Sequence, residues 1–130
     1  MYSLEEVIKN NRYMTYSFIE PIRADENGSE MKVVIREEHV NLSGYVHGGL
    51  LMTMADCAAG MAARGDGRLY VTQSAHMNFI RNRKEGTLYA RAKVVNRGRT
   101  VVIVRVEIVD EKDCLLAEGT MDMFCVEKKS

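Results

Sequence analysis

Between residues 88 and 110 the chain alternates. Val102, Val104, Val106 and Ile108 fall on one side of Thr100–Asp110, while Arg105 and Glu107 fall on the other. Leu88, Ala90, Ala92 and Val94 oppose Arg91 and Lys93 in the same way. A period of two sends successive side chains to opposite faces, so each segment predicts a strand with one buried side. Leu69–Ile80 and Leu115–Val126 also read as strands, and short charged or Gly-containing turns separate all four. Two further strand-like runs lie between Tyr13 and Arg36, with Asp25-Glu-Asn-Gly28 as the turn. Asn-Gly is a strong hairpin signal because both residues tolerate positive φ. Gly48–Ala63 breaks the strand pattern. Its Leu50, Leu51, Met52, Met54 and five alanines favour helix, it is apolar nearly all round, and Gly65-Asp-Gly67 ends it. Ser3-Leu-Glu-Glu6 has capping-box spacing and predicts a short helix near Leu4–Asn10. The order α-β-β-α-β-β-β-β predicts an α+β fold, in which a curved antiparallel sheet wraps one long central helix.

Composition narrows the setting. The 130 residues are enough for a single domain spanning 1–130 and carry no repeat, linker or low-complexity tract. Lys+Arg and Asp+Glu balance at 18 each, so there is no basic excess for nucleic acid. The N-terminus lacks the basic start and apolar run of a signal peptide. Gly48–Ala63 is short for a membrane span and contains Asp56. Cys57, Cys114 and Cys125 are odd in number without C-x-x-C spacing, which reads as reduced, packed thiols and a cytoplasmic location. His39, His47 and His76 lack tight ligand spacing, so no metal site is expected.

Two residues of the central helix carry candidate chemistry. Asp56 is the only charge among its 16 residues. Apolar surroundings would raise its pKa and make it a base near neutral pH; the alternatives are a helix face meeting solvent or a structural ion pair. Gly48 starts the helix, where backbone N–H groups lack intrahelical acceptors and a residue without Cβ lets an oxygen approach. Such an N–H is an oxyanion donor, although Gly48-Gly49 also serves as an ordinary tight turn. Eight residues of helix separate the two groups by about 12 Å. A base and an oxyanion donor must both reach one reacting centre within about 3 Å. One chain cannot supply both, but two antiparallel helices about a two-fold axis can.

Asn41-Leu-Ser-Gly-Tyr-Val-His-Gly-Gly49, followed by Asp56 in the helix and Ser74 on the next strand, resembles the signature of hotdog-fold thioesterases of the phenylacetate-degradation type. The resemblance implies hydrolysis of an acyl-CoA thioester, with Asp56 as base or nucleophile and Gly48 as oxyanion donor. It also implies that Asn41 and Ser74 place the water, and that His47 supports the loop or the carbonyl. Gly49 is expected to line the same approach. Each site is implied to take Asn41 and Gly48 from one subunit and Asp56 and Ser74 from its partner, in a homodimer that pairs into tetramers. No cofactor is expected, since coenzyme A enters as part of the substrate. Ser74 shares its alternation with Thr72, His76 and Asn78, of which Thr72 and Asn78 read as the solvated side of a sheet.

Arg97-Gly98-Arg99 and Arg81-Asn-Arg83-Lys84 are the densest basic spots. Short charge runs are ordinarily solvated turns, yet a neutral chain that binds a polyanionic coenzyme must use local arginines. Arg81, Arg83, Arg97, Gly98 and Arg99 are therefore candidates for its nucleotide end. Cys57 beside Asp56 reads as a packed thiol rather than a nucleophile. The nine methionines include candidates for a flexible acyl slot. A hotdog hydratase is the rival enzyme, though Asn41–Gly49 lacks the proline of its usual loop. A non-catalytic acyl-CoA-binding domain is the rival of another class.

Overall fold

The computed structural model describes residues 3–126. Two short helices, α1 (Leu4–Asn10) and α2 (Arg12–Tyr16), precede strands β1 (Glu20–Ala24) and β2 (Gly28–Val34). A loop leads to the long helix α3 (Gly48–Ala63), and β3 (Tyr70–Phe79), β4 (Thr87–Arg97), β5 (Val101–Asp110) and β6 (Leu115–Cys125) complete the chain. The six strands form one antiparallel sheet in the order β1-β2-β4-β5-β6-β3. β1 and β3 are its edges.

The alternation read from the sequence is the alternation observed. Val102, Val104, Val106 and Ile108 of β5 are fully buried, as are Leu88 and Ala90 of β4, and they form the floor on which α3 lies. Burying each of these Val, Leu and Ile side chains contributes about 1.5–3 kcal/mol. Small residues let the layers approach: Ala55, Ala58, Ala59, Ala62 and Ala63 meet a sheet that carries Ala90, Ala92 and Ala117. One buried polar link crosses the contact, where the Ser29 hydroxyl donates to the Ala58 carbonyl at 2.6 Å.

The sheet does not enclose α3 completely. Gly49 is exposed, and Met52, Thr53, Asp56, Cys57 and Gly60 are half-buried, so a stripe at helical spacing stays open. No helix among the described residues is long and apolar enough to cross a membrane.

Three expectations need correction. The segment after α1 begins with α2 rather than a strand. The Asn11 side chain caps it by accepting from Met14 N–H, and Met14 is fully buried. The β1–β2 turn does not use positive φ at Asn27 or Gly28. Instead Asp25 Oδ1 accepts from both backbone N–H groups, at 2.8 and 3.0 Å, and Gly28 makes room for the Ala92 carbonyl. At the N-terminus the Ser3 hydroxyl accepts from Glu6 N–H at 3.1 Å, while the Glu6 carboxylate meets that hydroxyl.

Candidate active site

The N-terminus of α3 is assembled by the loop before it. Asn41 Oδ1 accepts from the backbone N–H groups of Ser43 and Tyr45, at 2.9 and 3.1 Å, and Gly44 turns with φ +80°. The carboxamide oxygen of Asn41 is thereby committed to the turn, and the NH2 is the group it can offer outward. His47 is the N-cap: its Nδ1 accepts from Gly49 N–H at 2.9 Å, which fixes the remaining proton on Nε2. Its carbonyl accepts from Leu50 N–H at 2.9 Å. Gly48 N–H has no acceptor among the described residues. The place where its Cβ would stand is 3.7 Å from the Phe79 ring, in ordinary contact. The loop thus satisfies its neighbours and leaves one donor pointing outward. Gly49, by contrast, gives its N–H to the cap.

Asp56 occupies the open stripe of α3 two turns further on. Its Oδ1 accepts a hydrogen bond from the Thr72 hydroxyl of β3. Thr72, not Ser74, is therefore the β3 hydroxyl that reaches the aspartate. A β-bulge is the cause. Thr72 pairs with Met123 and Ser74 with Asp122, so Gln73 is an extra residue that breaks the alternation between them. Thr72 then turns to the helix side with buried Met123, whereas Ser74 turns to the outer face and donates to Asp122 Oδ2 at 2.7 Å. His76 and Asn78 follow Ser74, pairing with Thr120 and Glu118. Strict alternation had placed Thr72 with them on a solvated side.

Asp56 and Thr72 open into a cleft of about 620 Å³ between α3, the start of β3, and α1–α2. Gly60, Met61, Arg64 and Met123 line it, and so do Tyr13 and Arg12 from α2. The Tyr13 hydroxyl lies 3.4 Å from Thr53 Oγ1, which ties α2 to the open stripe. Cys57 faces the same cleft, but burial first and the Asp56 charge second push its thiol up to about 12. It stays protonated at neutral pH and is no nucleophile. Asn41, His47, Gly48 and Ser74 are not part of this cleft. Among the described residues no three His, Cys, Asp or Glu side chains gather as a metal-binding group.

The basic residues divide by how fully they are already bonded. Arg97 donates to the carbonyls of Ala62, Ala63 and Glu26 at 2.7–2.9 Å and pairs with Asp66 at 2.9 Å, so it closes the C-terminus of α3. Arg83 Nε meets buried Asp110 at 3.0 Å, and its Nη1 donates to the Asn82 carbonyl. These two guanidiniums are already engaged in holding the fold together. Gly98 is likewise required by its turn, against the Val101 carbonyl. Arg81 gives one N–H to the Leu115 carbonyl, and the Arg99 side chain is exposed. Distant partners decide all of this, and charge density in the sequence carries no sign of it.

One antiparallel sheet curved around a single long helix is the architecture of the hotdog class of proteins. Residues 43–117 match the Thioesterase superfamily, and the chain belongs to that family, with its hotdog fold and its thioester hydrolase activity. A proposed esterase of Saccharolobus solfataricus is 25% identical over 130 residues, covering 98% of this chain and 93% of the relative. The E. coli PaaI protein of the phenylacetic acid degradation operon superposes with a TM-score of 0.91 at 23% identity, over 96% of this chain and 91% of its own. A proposed thioesterase of Streptococcus pneumoniae, solved with coenzyme A, gives a TM-score of 0.81 at 23% identity, over 86% of this chain and 91% of its own. That protein has also been solved with an aspartate replaced by alanine, and with a threonine sixteen positions later replaced by alanine.

Proposed function

We propose that the protein is an acyl-CoA thioesterase that works as a homodimer with two shared sites. The observation that carries this reading is the division of the machinery along α3. The unpaired Gly48 N–H and the Asp56–Thr72 pair lie about 12 Å apart along the helix, too far to serve one carbonyl. A two-fold axis beside β3 would bring Gly48 of one subunit to Asp56 of the other. The exposure of β3 supports that axis. It is a ten-residue edge strand with Val71 and Phe79 about half exposed, an edge that ordinarily must be covered. Coenzyme A bound to the Streptococcus pneumoniae protein supports the thioester class. The spacing of its two replaced residues equals the sixteen positions between Asp56 and Thr72.

In such a site the Gly48 N–H donates to the thioester oxygen and stabilises the charge that develops there. The NH2 of Asn41 orients the water. Thr72 holds one carboxylate oxygen of Asp56, and the other accepts the proton as the water oxygen bonds to the acyl carbon. Collapse of the tetrahedral intermediate breaks the C–S bond, and the proton passes to the leaving sulfur. Direct attack by Asp56 to form a mixed anhydride uses the same parts. The acyl group occupies the cleft beside Met61 and Met123, whose flexible side chains adapt to it. No disulfide joins Cys57, Cys114 and Cys125, which fits a reducing cytoplasmic setting. Pairing of dimers into tetramers follows from the family resemblance alone.

The test is release of free thiol from a panel of acyl-CoA substrates, which separates hydrolysis from hydration and from binding alone. Asp56→Asn should lower kcat/KM by about 10²–10⁴-fold with the assembly intact. Near-normal turnover by that variant, or no thiol release by the native protein, would overturn the reading.

A further inference from the structure

The cleft that starts at Asp56 ends on a guanidinium that the fold leaves underused. Arg64 follows the last residue of α3, and its side chain lines the cleft. One Nη2 hydrogen bond, 3.1 Å to the Tyr70 carbonyl, is its only side-chain contact to an acceptor among the described residues. Its Nε is buried without a hydrogen-bond partner, a costly condition for a charged donor. No carboxylate of the described residues pairs with it within 4.0 Å. Capping of α3 does not account for it, because Arg97 already serves the Ala62 and Ala63 carbonyls. Arg12, exposed and without an ion-pair partner among the described residues, also lines the cleft. Glu6 lines it too, and its carboxylate accepts from the Ser3 hydroxyl at 3.2 Å.

We propose that Arg64 is a specificity-determining residue that receives an anionic oxygen at the far end of the acyl group. The preferred substrates are then coenzyme A monothioesters of medium-length dicarboxylic acids. The inference rests on the thioesterase reading above and adds the acyl class to it. Arg64 lies eight residues beyond Asp56 on the helix, about 12 Å along its axis. The Arg64 side chain leans back along the helix toward Asp56, so a chain of up to about eight carbons, ending in a hydrogen bond of about 3 Å, joins the two ends. The walls between the two ends are Gly60, Met61, Cys57 and Met123, which suit methylenes. A planar guanidinium suits a terminal carboxylate, because it can offer paired N–H groups to two oxygens.

The experiment compares kcat/KM for octanedioyl-CoA and octanoyl-CoA, which differ only in the terminal group. The native protein should favour the dicarboxylic thioester by roughly tenfold or more, the ordinary range for a charged hydrogen bond. Arg64→Met should bring the ratio to about one, and Arg64→Lys should retain part of the preference. The ratio is the readout, because a purely structural defect would lower both substrates together. If Arg64→Met fails to fold, the native ratio and the Arg64→Lys ratio still decide. Equal native rates on the two substrates, or a preference that survives Arg64→Met, would overturn the inference and leave the thioesterase reading standing. Thiol release from neither substrate nor any other acyl-CoA would overturn both.

Discussion

The two ends of α3 are built on opposite principles. At the C-terminal end the last carbonyls and Asp66 are met, with the Arg64 guanidinium as the exception: Arg97 closes the last carbonyls, and Asp66 accepts from Tyr70 at 2.5 Å, Arg68 at 3.1 Å and Arg97 at 2.9 Å. At the N-terminal end the cap serves Gly49 and Leu50 and leaves the Gly48 N–H unserved. A helix end normally has its open groups met by caps, side chains or water. The Arg97–Asp66 cluster therefore reads as structure, and the unserved Gly48 N–H as a place for a ligand oxygen. Charge in the sequence pointed the other way, toward Arg97 as a ligand group. The number of bonds already made is the better guide.

That contrast can be broken by experiment. Gly48→Pro is the sharpest substitution, because it removes the N–H and little else. Proline is well tolerated at the first helical position, and His47 already has the extended backbone (φ −68°, ψ 134°) that a following proline needs. A Cβ there meets only the Phe79 ring, at 3.7 Å. Activity should fall by about 10²–10³-fold with thermal stability nearly unchanged. A large loss of stability with activity retained would reverse the assignment of the two ends.

Asp66→Asn should do the opposite, costing stability and sparing turnover. Burial raises the Asp66 pKa, but the Tyr70 hydroxyl, the Arg68 backbone and side-chain N–H groups and the Arg97 charge outweigh it and bring the carboxyl down to about 2. A carboxyl with a folded pKa below its unfolded value of about 3.9 stabilises the fold above that value. The contribution disappears as pH falls through about 2. At neutral pH the variant should lose about 1–2 kcal/mol. The denaturation curves of the variant and the native protein should converge between pH 4 and about 2. A constant difference across that window would contradict the account.

The smallest effect sharpens the bulge. Thr72→Ala should lower kcat/KM by roughly tenfold, the worth of one hydrogen bond to a carboxylate. Ser74→Ala, on the other face, should stay within about twofold of the native protein. Equal losses from both would mean that the two residues share a face in the working assembly.

The sequence makes α3 legible to the residue, because Leu, Met and Ala at ten of its sixteen positions, bounded by glycines, leave no competing structure. β5 is as plain, since one buried face imposes strict alternation. α2 is not, for Arg-Tyr-Met-Thr-Tyr is short and rich in strand formers. Its helix depends on the Asn11 cap and on the Thr15 hydroxyl reaching the Ile8 carbonyl at 2.8 Å. Of the proposed site, the motif points to Gly48 and Asp56 and not to Thr72, because periodicity carries no mark of a bulge. The structural role of Arg97 is not legible in the sequence because its partners lie 31 to 71 residues away in the chain.

The central claim is that each site draws Gly48 from one subunit and Asp56 from the other. Gly48→Pro and Asp56→Asn proteins, each nearly inactive, can be unfolded together in equal amounts and refolded. Half of the dimers then carry one chain of each kind, and one of their two sites has both groups intact. The mixture should recover about a quarter of native thiol release. Activity that stays at the average of the two separate variants would contradict the shared site.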